Sequence, residues 1–454
     1  MVKEIISFLE NKKVLILGFG REGKSTYNFI RNHLKNQKLY IADMQEDLLD
    51  KNEFLKKDSN IECICGNNYL NGLEDYDIII KTPGIAFVNM DITKFKDKIK
   101  SQLDLFLEFS DNKTIGITGT KGKSTTSSLI YSVLKNQEKN VLLLGNIGNP
   151  IFDYIDEIVE DTYIVIEMSS HQLEFTKNSP NISIITNLFP EHLDHYNSYN
   201  DYVEAKLNIF KFQNENDYFL YDYDNSELKE RIKDTKSIQC KVSFNEKDSD
   251  IKIENNMIVI KGKEIYDINS PRNLLGKYNL KNIMFVLGVA NILNLDMDIA
   301  VKTISEFKTL KHRLEFIGQI DGVKYYDNSI ATIPVATEEA IKALKDVGTL
   351  IIGGMDRGID YSEFAEFLDK CDVQNIICMP DTGHKIAKMM KANKCIIVST
   401  LEEAVQVASK KTEKGKSCLL SPAAASYGFF KNFEEKGDKF KELVLKKGTV
   451  LFSK

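Results

Sequence analysis

The chain has 454 residues, 43% hydrophobic and 28% charged, a globular composition that excludes wholesale disorder. At ~100–200 residues per domain it has room for two to four domains. Its 60 basic and 66 acidic residues give a net charge of −6 with no long block of either sign, which argues against nonspecific nucleic-acid binding. No apolar run approaches the ~20 residues of a membrane helix. The start, MVKEIISFLENKKV, carries charges where a signal peptide needs its apolar core. The cysteines (Cys63, Cys65, Cys240, Cys371, Cys378, Cys395, Cys418) form no C-x-x-C pair, which fits reduced thiols in a cytoplasmic protein.

In chain order, short β-branched apolar runs alternate with helix-length segments. Strands are predicted at 14–17, 78–80, 114–118, 141–144, 163–166, 182–186 and 218–221, then at 350–352, 376–379, 396–398 and 418–420. Such continuous apolar runs are the pattern of strands buried on both faces of a parallel sheet, so the class is α/β. A first domain is expected to end near 108, before the 114–118 strand restarts a Gly-rich turn. The stretch 237–268 reads as a small antiparallel insertion, and 279–307 as one helical stretch. KTLKHRLE then reads as a hinge into a third domain from 312. No repeat or low-complexity tract appears.

Two loops compete for phosphate. VLILGFGREGKST places Gly18, Gly20 and Gly23 as G-x-G-x-x-G after a strand, and with Lys24 and Ser25 it satisfies the literal Walker pattern. TIGITGTKGKSTT, 114–126, misses that pattern because Ile117 stands where its first glycine would be. Chemistry favours the second loop. Gly119 and Gly122 admit close approach to phosphate, the following helix directs N–H groups at the anion, Lys123 can reach the β- and γ-phosphates, and Ser124 can ligate Mg²⁺. Glu167, at the end of the 163–166 strand, can hold the metal. Asp43, 20 residues beyond Gly23, has the spacing of a ribose-binding acid, so the first loop reads as nucleotide recognition. Simple helix–strand packing by glycine stays open for that loop.

GTKGKST, EMSSHQLE (167–174), NLFPEHLDHY (187–196), YVEAKLNIF (202–210), HRLE (312–315) and SPAAASYGFFKNFEEKG (421–437) occur in order. With TPGI (82–85) and GNIG (145–148), they resemble the Mur ligases of peptidoglycan synthesis over essentially the whole chain. The C-terminal S-P-A-A-A-S…F-K-N-F run is that of the glutamate-adding branch. The resemblance implies three α/β domains: a Rossmann-like UDP-binding domain (1–108), a central P-loop ATPase domain (109–311) and a Rossmann-like amino-acid-binding domain (312–454). It implies a cytoplasmic, monomeric enzyme of cell-wall synthesis that binds neither nucleic acid nor membrane. Its substrates would be UDP-N-acetylmuramoyl-L-alanine, D-glutamate and ATP, joined through an acyl phosphate.

By the same resemblance, Gly119, Thr120, Lys121, Gly122, Lys123, Ser124, Thr125, Asn279, Asn282, Arg313 and Asp327 would bind ATP. Ser124 and Glu167 would hold one Mg²⁺; Glu167, His192 and a carbamylated Lys206 would hold a second. The UDP-sugar would contact Gly18, Phe19, Gly20, Arg21, Gly23, Asp43, Asn146, Ser169, Gln172 and His192. Glutamate would meet Thr332, Arg357, Ser426, Tyr427 and Phe433. The residues alone read more blandly: one of His192 and His195 structural, Lys206 a solvated helix lysine, Asn279 an N-cap. Lys123, Glu167, His192, Lys206 and Arg313 are the catalytic candidates. Carbamylation needs a neutral amine, hence a lowered pKa.

The clearest departure is YYDNSIATIP (325–334), against the commonest family form N-D-S-K-A-T-N. Acid and amide are transposed, so Asn328 stands at the acid position and Asp327 beside it is expected to supply the carboxylate to ATP. Ile330 replaces the lysine, which leaves D- against L-glutamate open. Arg357, in GGMDRG, stands where the family has lysine and can grip a carboxylate as a fork. Rival readings are a related ligase with another amino acid, a nicotinamide-dependent oxidoreductase on the first loop, and a nonenzymatic nucleotide switch.

Overall fold

The apolar runs become strands because their backbones pair on both sides while their side chains fill two packed faces. In this computed structural model, residues 1–191, 195–232 and 235–446 are described. Among them are three sheets of five, nine and six strands. The first holds β1 (Val14–Leu17), β2 (Leu39–Asp43), β3 (Ile61–Cys65), β4 (Ile78–Lys81) and β5 (Ile99–Lys100), all parallel, in the order 3-2-1-4-5. The order reverses between β1 and β4, so a crevice opens at their carboxyl ends, where doubly wound sheets take ligands.

The second sheet holds β6 (Thr114–Thr118), β7 (Val141–Gly145), β8 (Tyr163–Glu167), β9 (Ile182–Ile185), β10 (Tyr218–Asp222) and β11 (Ile238–Val242), also parallel. β12 (Ile251–Glu254), β13 (Met257–Ile260) and β14 (Lys263–Asp267) continue it. This corrects the expected small insertion: β12 pairs with β11, and β12–β14 form the antiparallel edge of the central sheet. The stretch 279–307 is also two helices, Lys277–Ile292 and Met297–Glu306, broken where Asn294 takes a left-handed φ of 51°.

The third sheet holds β15 (Glu315–Ile320), β16 (Val323–Asp327), β17 (Val347–Ile352), β18 (Asn375–Cys378), β19 (Cys395–Ile397) and β20 (Ser417–Leu420), ordered 15-16-20-17-18-19. β15 and β16 are a hairpin about Asp321-Gly322, both at positive φ, a turn that Asp-Gly favours. The described chain divides into two compact units: Met1–Ser270 with Lys281–Ile304, and Pro271–Leu280 with Ser305 onward. The first two sheets share the first unit, and the boundary expected near 108 lies inside it. No helix among the described residues is long and apolar enough to cross a membrane.

Candidate active site

β6 is buried along its whole length and delivers the second glycine loop at its carboxyl end. Gly119 has φ 141°, and a Cβ there would lie 2.0 Å from Thr186 Oγ1. Gly122 has φ 89° and heads the helix Lys123–Asn136; a Cβ on it would sit 2.6 Å from Asn282 Oδ1. Both positions therefore demand glycine. Asn282 is thus packed against the loop. Thr186 Oγ1 donates to Lys121 O (2.6 Å), and Asn187 Oδ1 accepts from Lys121 N (2.8 Å). Thr120 Oγ1 lies 2.9 Å from the Tyr202 hydroxyl. The loop is held from outside, with Ser124 buried and Thr125 partly buried in the first turn behind it.

Lys123 Nζ folds back over the loop onto Gly119 O (2.8 Å) and Thr120 O (3.0 Å). Lys206, on the helix Tyr199–Lys211, is only 2% exposed, and its Nζ also donates to Gly119 O at 3.0 Å. Burial first, then the Lys123 charge, hold its pKa well below the usual lysine range. This replaces the bland picture of a solvated helix lysine. Glu167 ends β8, 1% exposed; Oε1 accepts from Asn146 Nδ2 (2.6 Å), while buried Oε2 has no hydrogen-bond partner among the described residues. A buried carboxylate oxygen without a donor suits a cation. His192 and Asp194 lie outside the described residues. His195 Nε2 lies 3.3 Å from Glu174 Oε2, which pairs with the buried Lys81 at 3.0 Å.

The first loop closes tightly at the crevice between β1 and β4. Gly18 has φ 90° with a Cβ position 2.1 Å from Thr82 Oγ1, and a Cβ on Gly23 would lie 2.2 Å from Gly18 O. Asp43 accepts from Phe19 N (2.6 Å) and Gln45 N (2.8 Å), so it shapes the loop, and lone pairs remain for a hydroxyl. Gly20 caps the helix Arg21–His33, and Arg21 Nη1 reaches Gly148 O at 3.1 Å. Unlike Lys123, Lys24 is exposed, so the literal Walker match does not fold over its loop. Ser169 and Gln172 form a capping box, and Gln172 Nε2 donates to Glu22 Oε1 at 2.6 Å. Sequence reasoning missed Glu22, whose pKa burial raises; only its place inside G-x-G-x-x-G could have flagged it.

In the second unit, loops after β16, β17 and β20 carry Thr332, Arg357, Ser426 and Tyr427, and Phe433 starts the helix Phe433–Leu445. Arg357 Nη2 lies 3.5 Å from Thr332 O. Ser426 Oγ is buried without a hydrogen-bond partner among the described residues, and Tyr427 is 59% exposed. Asp327, 1% exposed, is engaged within its own sheet: Oδ2 faces His312 Nδ1 (2.7 Å) and Oδ1 accepts from Ser329 N (2.8 Å). Both Asp327 oxygens thus have a partner within the second unit. Asn279 Nδ2 donates to Leu275 O (2.7 Å). Lys436, unmarked in the sequence, is buried, donates to Gly353 O (2.7 Å), and is pushed down to about 7 by burial.

Residues 117–290 match the Mur ligase middle domain, and residues 312–424 match the Mur ligase, glutamate ligase domain. A UDP-N-acetylmuramoylalanine--D-glutamate ligase of Clostridium botulinum is 34% identical, covering 96% of this chain and 97% of its own. The chain belongs to the Mur ligase family. A second such ligase, from Clostridium novyi, is 34% identical over 97% of this Mur ligase and 98% of its own length. Two Thermotoga maritima structures share the fold. MurC, a UDP-N-acetylmuramate-alanine ligase, has TM-score 0.60 and 20% identity, covering 96% of this chain and all of its own. MurF ligase in complex with ADP has TM-score 0.59 and 17% identity, covering 97% of each chain. As a Mur ligase, the protein is an ATP-dependent ligase with three α/β sheets.

Proposed function

We propose that this ligase joins glutamate to UDP-N-acetylmuramoyl-L-alanine, with ATP as phosphoryl donor, as a cytoplasmic monomer in peptidoglycan precursor synthesis. The observation that carries the reading is that Lys123 and the buried Lys206 both donate to Gly119 O of the glycine loop, while Glu167, on the strand paired with the one that delivers the loop, has an oxygen without a hydrogen-bond partner among the described residues. It is the equipment for bringing anions together.

The substrate carboxylate attacks the γ-phosphate of ATP, giving an acyl phosphate and ADP. The amine of glutamate then adds to the acyl carbon, phosphate leaves, and the amine loses its proton. Loop N–H groups and Lys123 neutralise the ATP phosphates, leaving the γ-phosphate in line for attack. Ser124, Glu167, His192 and a carbamylated Lys206 would hold two Mg²⁺ ions, which supply charge neutralisation for phosphoryl transfer. The partnerless Glu167 oxygen fits such an ion, and the unsolvated Lys206 amine fits carbamylation. The remaining ATP contacts (Asn279, Asn282, Arg313) rest on the resemblance, with Asn282 already against Gly122. Gly18–Gly23, Asp43, Asn146, Ser169 and Gln172 would take the UDP-sugar. Gln172 keeps one N–H after Glu22 takes the other. Thr332, Arg357, Ser426, Tyr427 and Phe433 would take glutamate, the buried Ser426 hydroxyl having a free donor for a carboxylate.

The experiment is phosphate release from ATP, Mg²⁺ and UDP-N-acetylmuramoyl-L-alanine with D- or L-glutamate. Release with D-glutamate alone supports the reading, and release with L-glutamate alone keeps the mechanism and reverses the stereochemistry. No release with either overturns the substrate assignment.

A further inference from the structure

The transposed pair Asp327-Asn328 straddles the end of β16, and its two side chains do different work. Asp327 Oδ2 faces His312 Nδ1 at 2.7 Å, and its Oδ1 accepts from Ser329 N. Asn328 Oδ1 accepts from Leu314 N (3.1 Å), its Nδ2 donates to Ser421 Oγ (3.0 Å), and Ser421 Oγ is 2.8 Å from Thr337 Oγ1. The four side chains of His312, Asp327, Asn328 and Ser421 are all buried.

The order acid-then-amide is what these partners require. The carboxylate meets an imidazole N–H and a backbone N–H, two donors. The amide meets one donor, Leu314 N, and one hydroxyl that accepts. An acid at 328 would face Ser421 Oγ with an acceptor and place a second buried carboxylate beside the first.

Between the two bonds stands Arg313. His312 has φ 64° and Leu314 has φ 51°, left-handed values that L-residues disfavour and keep only when surrounding bonds impose them. Further ties hold the same turn: His312 N donates to Glu315 Oε2 (3.0 Å), and Glu315 Oε1 pairs with Lys441 (2.9 Å). Gly437 closes the rear, where a Cβ would lie 2.2 Å from His312 Nδ1 and 2.4 Å from Asp327 Oδ2. We propose that Asp327 and Asn328 are positioning residues that grip the turn on both sides of Arg313 and so fix the direction of its guanidinium. The proposal rests on the reading above that gives Arg313 to the ATP phosphates.

The test is a double-mutant cycle on the full chain, reading kcat and KM for ATP, glutamate and UDP-N-acetylmuramoyl-L-alanine separately. Asn328→Asp is expected to lower kcat/KM for ATP ~10-fold and leave KM for the other two substrates within about twofold. In an Arg313→Lys background, Asn328→Asp should bring no further loss, since there is no directed fork left to misplace. Asp327→Asn should behave alike. If either variant fails to fold, Ser421→Ala, which removes only the far anchor of Asn328, reads the same coupling. Losses that add to that of Arg313→Lys, or fall equally on all three substrates, overturn the positioning role while leaving Arg313 in place. Arg313→Lys with unchanged kcat/KM for ATP overturns both that assignment of Arg313 and the proposal, without touching the ligase reading itself.

Discussion

Lys206 and Lys123 donate to the same backbone oxygen, Gly119 O, at 3.0 and 2.8 Å. Two ammonium groups on one carbonyl repel, and Lys206 is the one removed from water. Its pKa is held well below the usual lysine range, with burial the larger cause and the Lys123 charge the next.

A lysine whose pKa is lowered in this way suits the addition of CO₂ that the proposed carbamate requires. Activity is expected to fall in CO₂-free buffer and to return with bicarbonate. Lys206→Ala should lose at least ~100-fold in kcat, since an electrostatic partner of the transfer is removed. A Lys206→Ala enzyme as active as wild type would sink the carbamate.

Glu167 presents a second, separable signal. Glu167→Gln keeps the acceptor for Asn146 Nδ2 and removes a buried charge whose Oε2 has no donor. The melting temperature without Mg²⁺ should hold or rise, while phosphate release falls by ~100-fold or more and the Mg²⁺ concentration needed for half activity climbs. Stability and activity moving down together would contradict a metal role.

Gly119→Ala should damage the loop. Its Cβ would lie 2.0 Å from Thr186 Oγ1, the atom that ties Lys121 O, and φ 141° is strained for alanine. A cost of about 1–3 kcal/mol is expected by denaturant unfolding. Weakened ATP binding by calorimetry should accompany it.

The second unit carries two opposed pH effects. The His312 pKa is raised, chiefly by the Asp327 hydrogen bond, so its contribution is full below the unfolded value near 6.5. That contribution is lost as pH rises through the folded value. Lys436 is pushed down to about 7, so the folded state binds fewer protons than the unfolded state above that pH. Stability from this group therefore rises between about pH 7 and the unfolded lysine value near 10.4. His312→Gln should remove the loss of melting temperature just above neutrality, and Lys436→Met the gain at alkaline pH. Profiles that match wild type in both variants would refute the assignment.

Much of the fold was legible because it is local. β6 and β13 fall where their apolar runs predict, and the glycines at 18, 119 and 122 adopt positive φ where a turn demands it. The β15–β16 hairpin was readable from Asp321-Gly322 but not read, since its alternating residues give no continuous apolar run. The 251–267 stretch was seen as strands, yet its attachment to β11 was not visible, because edge pairing depends on which neighbour offers free N–H and C=O groups.

By itself the sequence determined the α/β class, the two phosphate-type loops and the residue types at their ends. Backbone dihedrals, apolar periodicity and turn chemistry act among near neighbours, so they are written along the chain. Only the tertiary structure decided the lowered pKa of Lys206, the Glu167 oxygen left without a donor among the described residues, the Glu22–Gln172 bond across 150 residues and the division of labour between Asp327 and Asn328. Desolvation and hydrogen-bond saturation depend on groups brought together through space, and adjacent residues in a sequence can face entirely different partners.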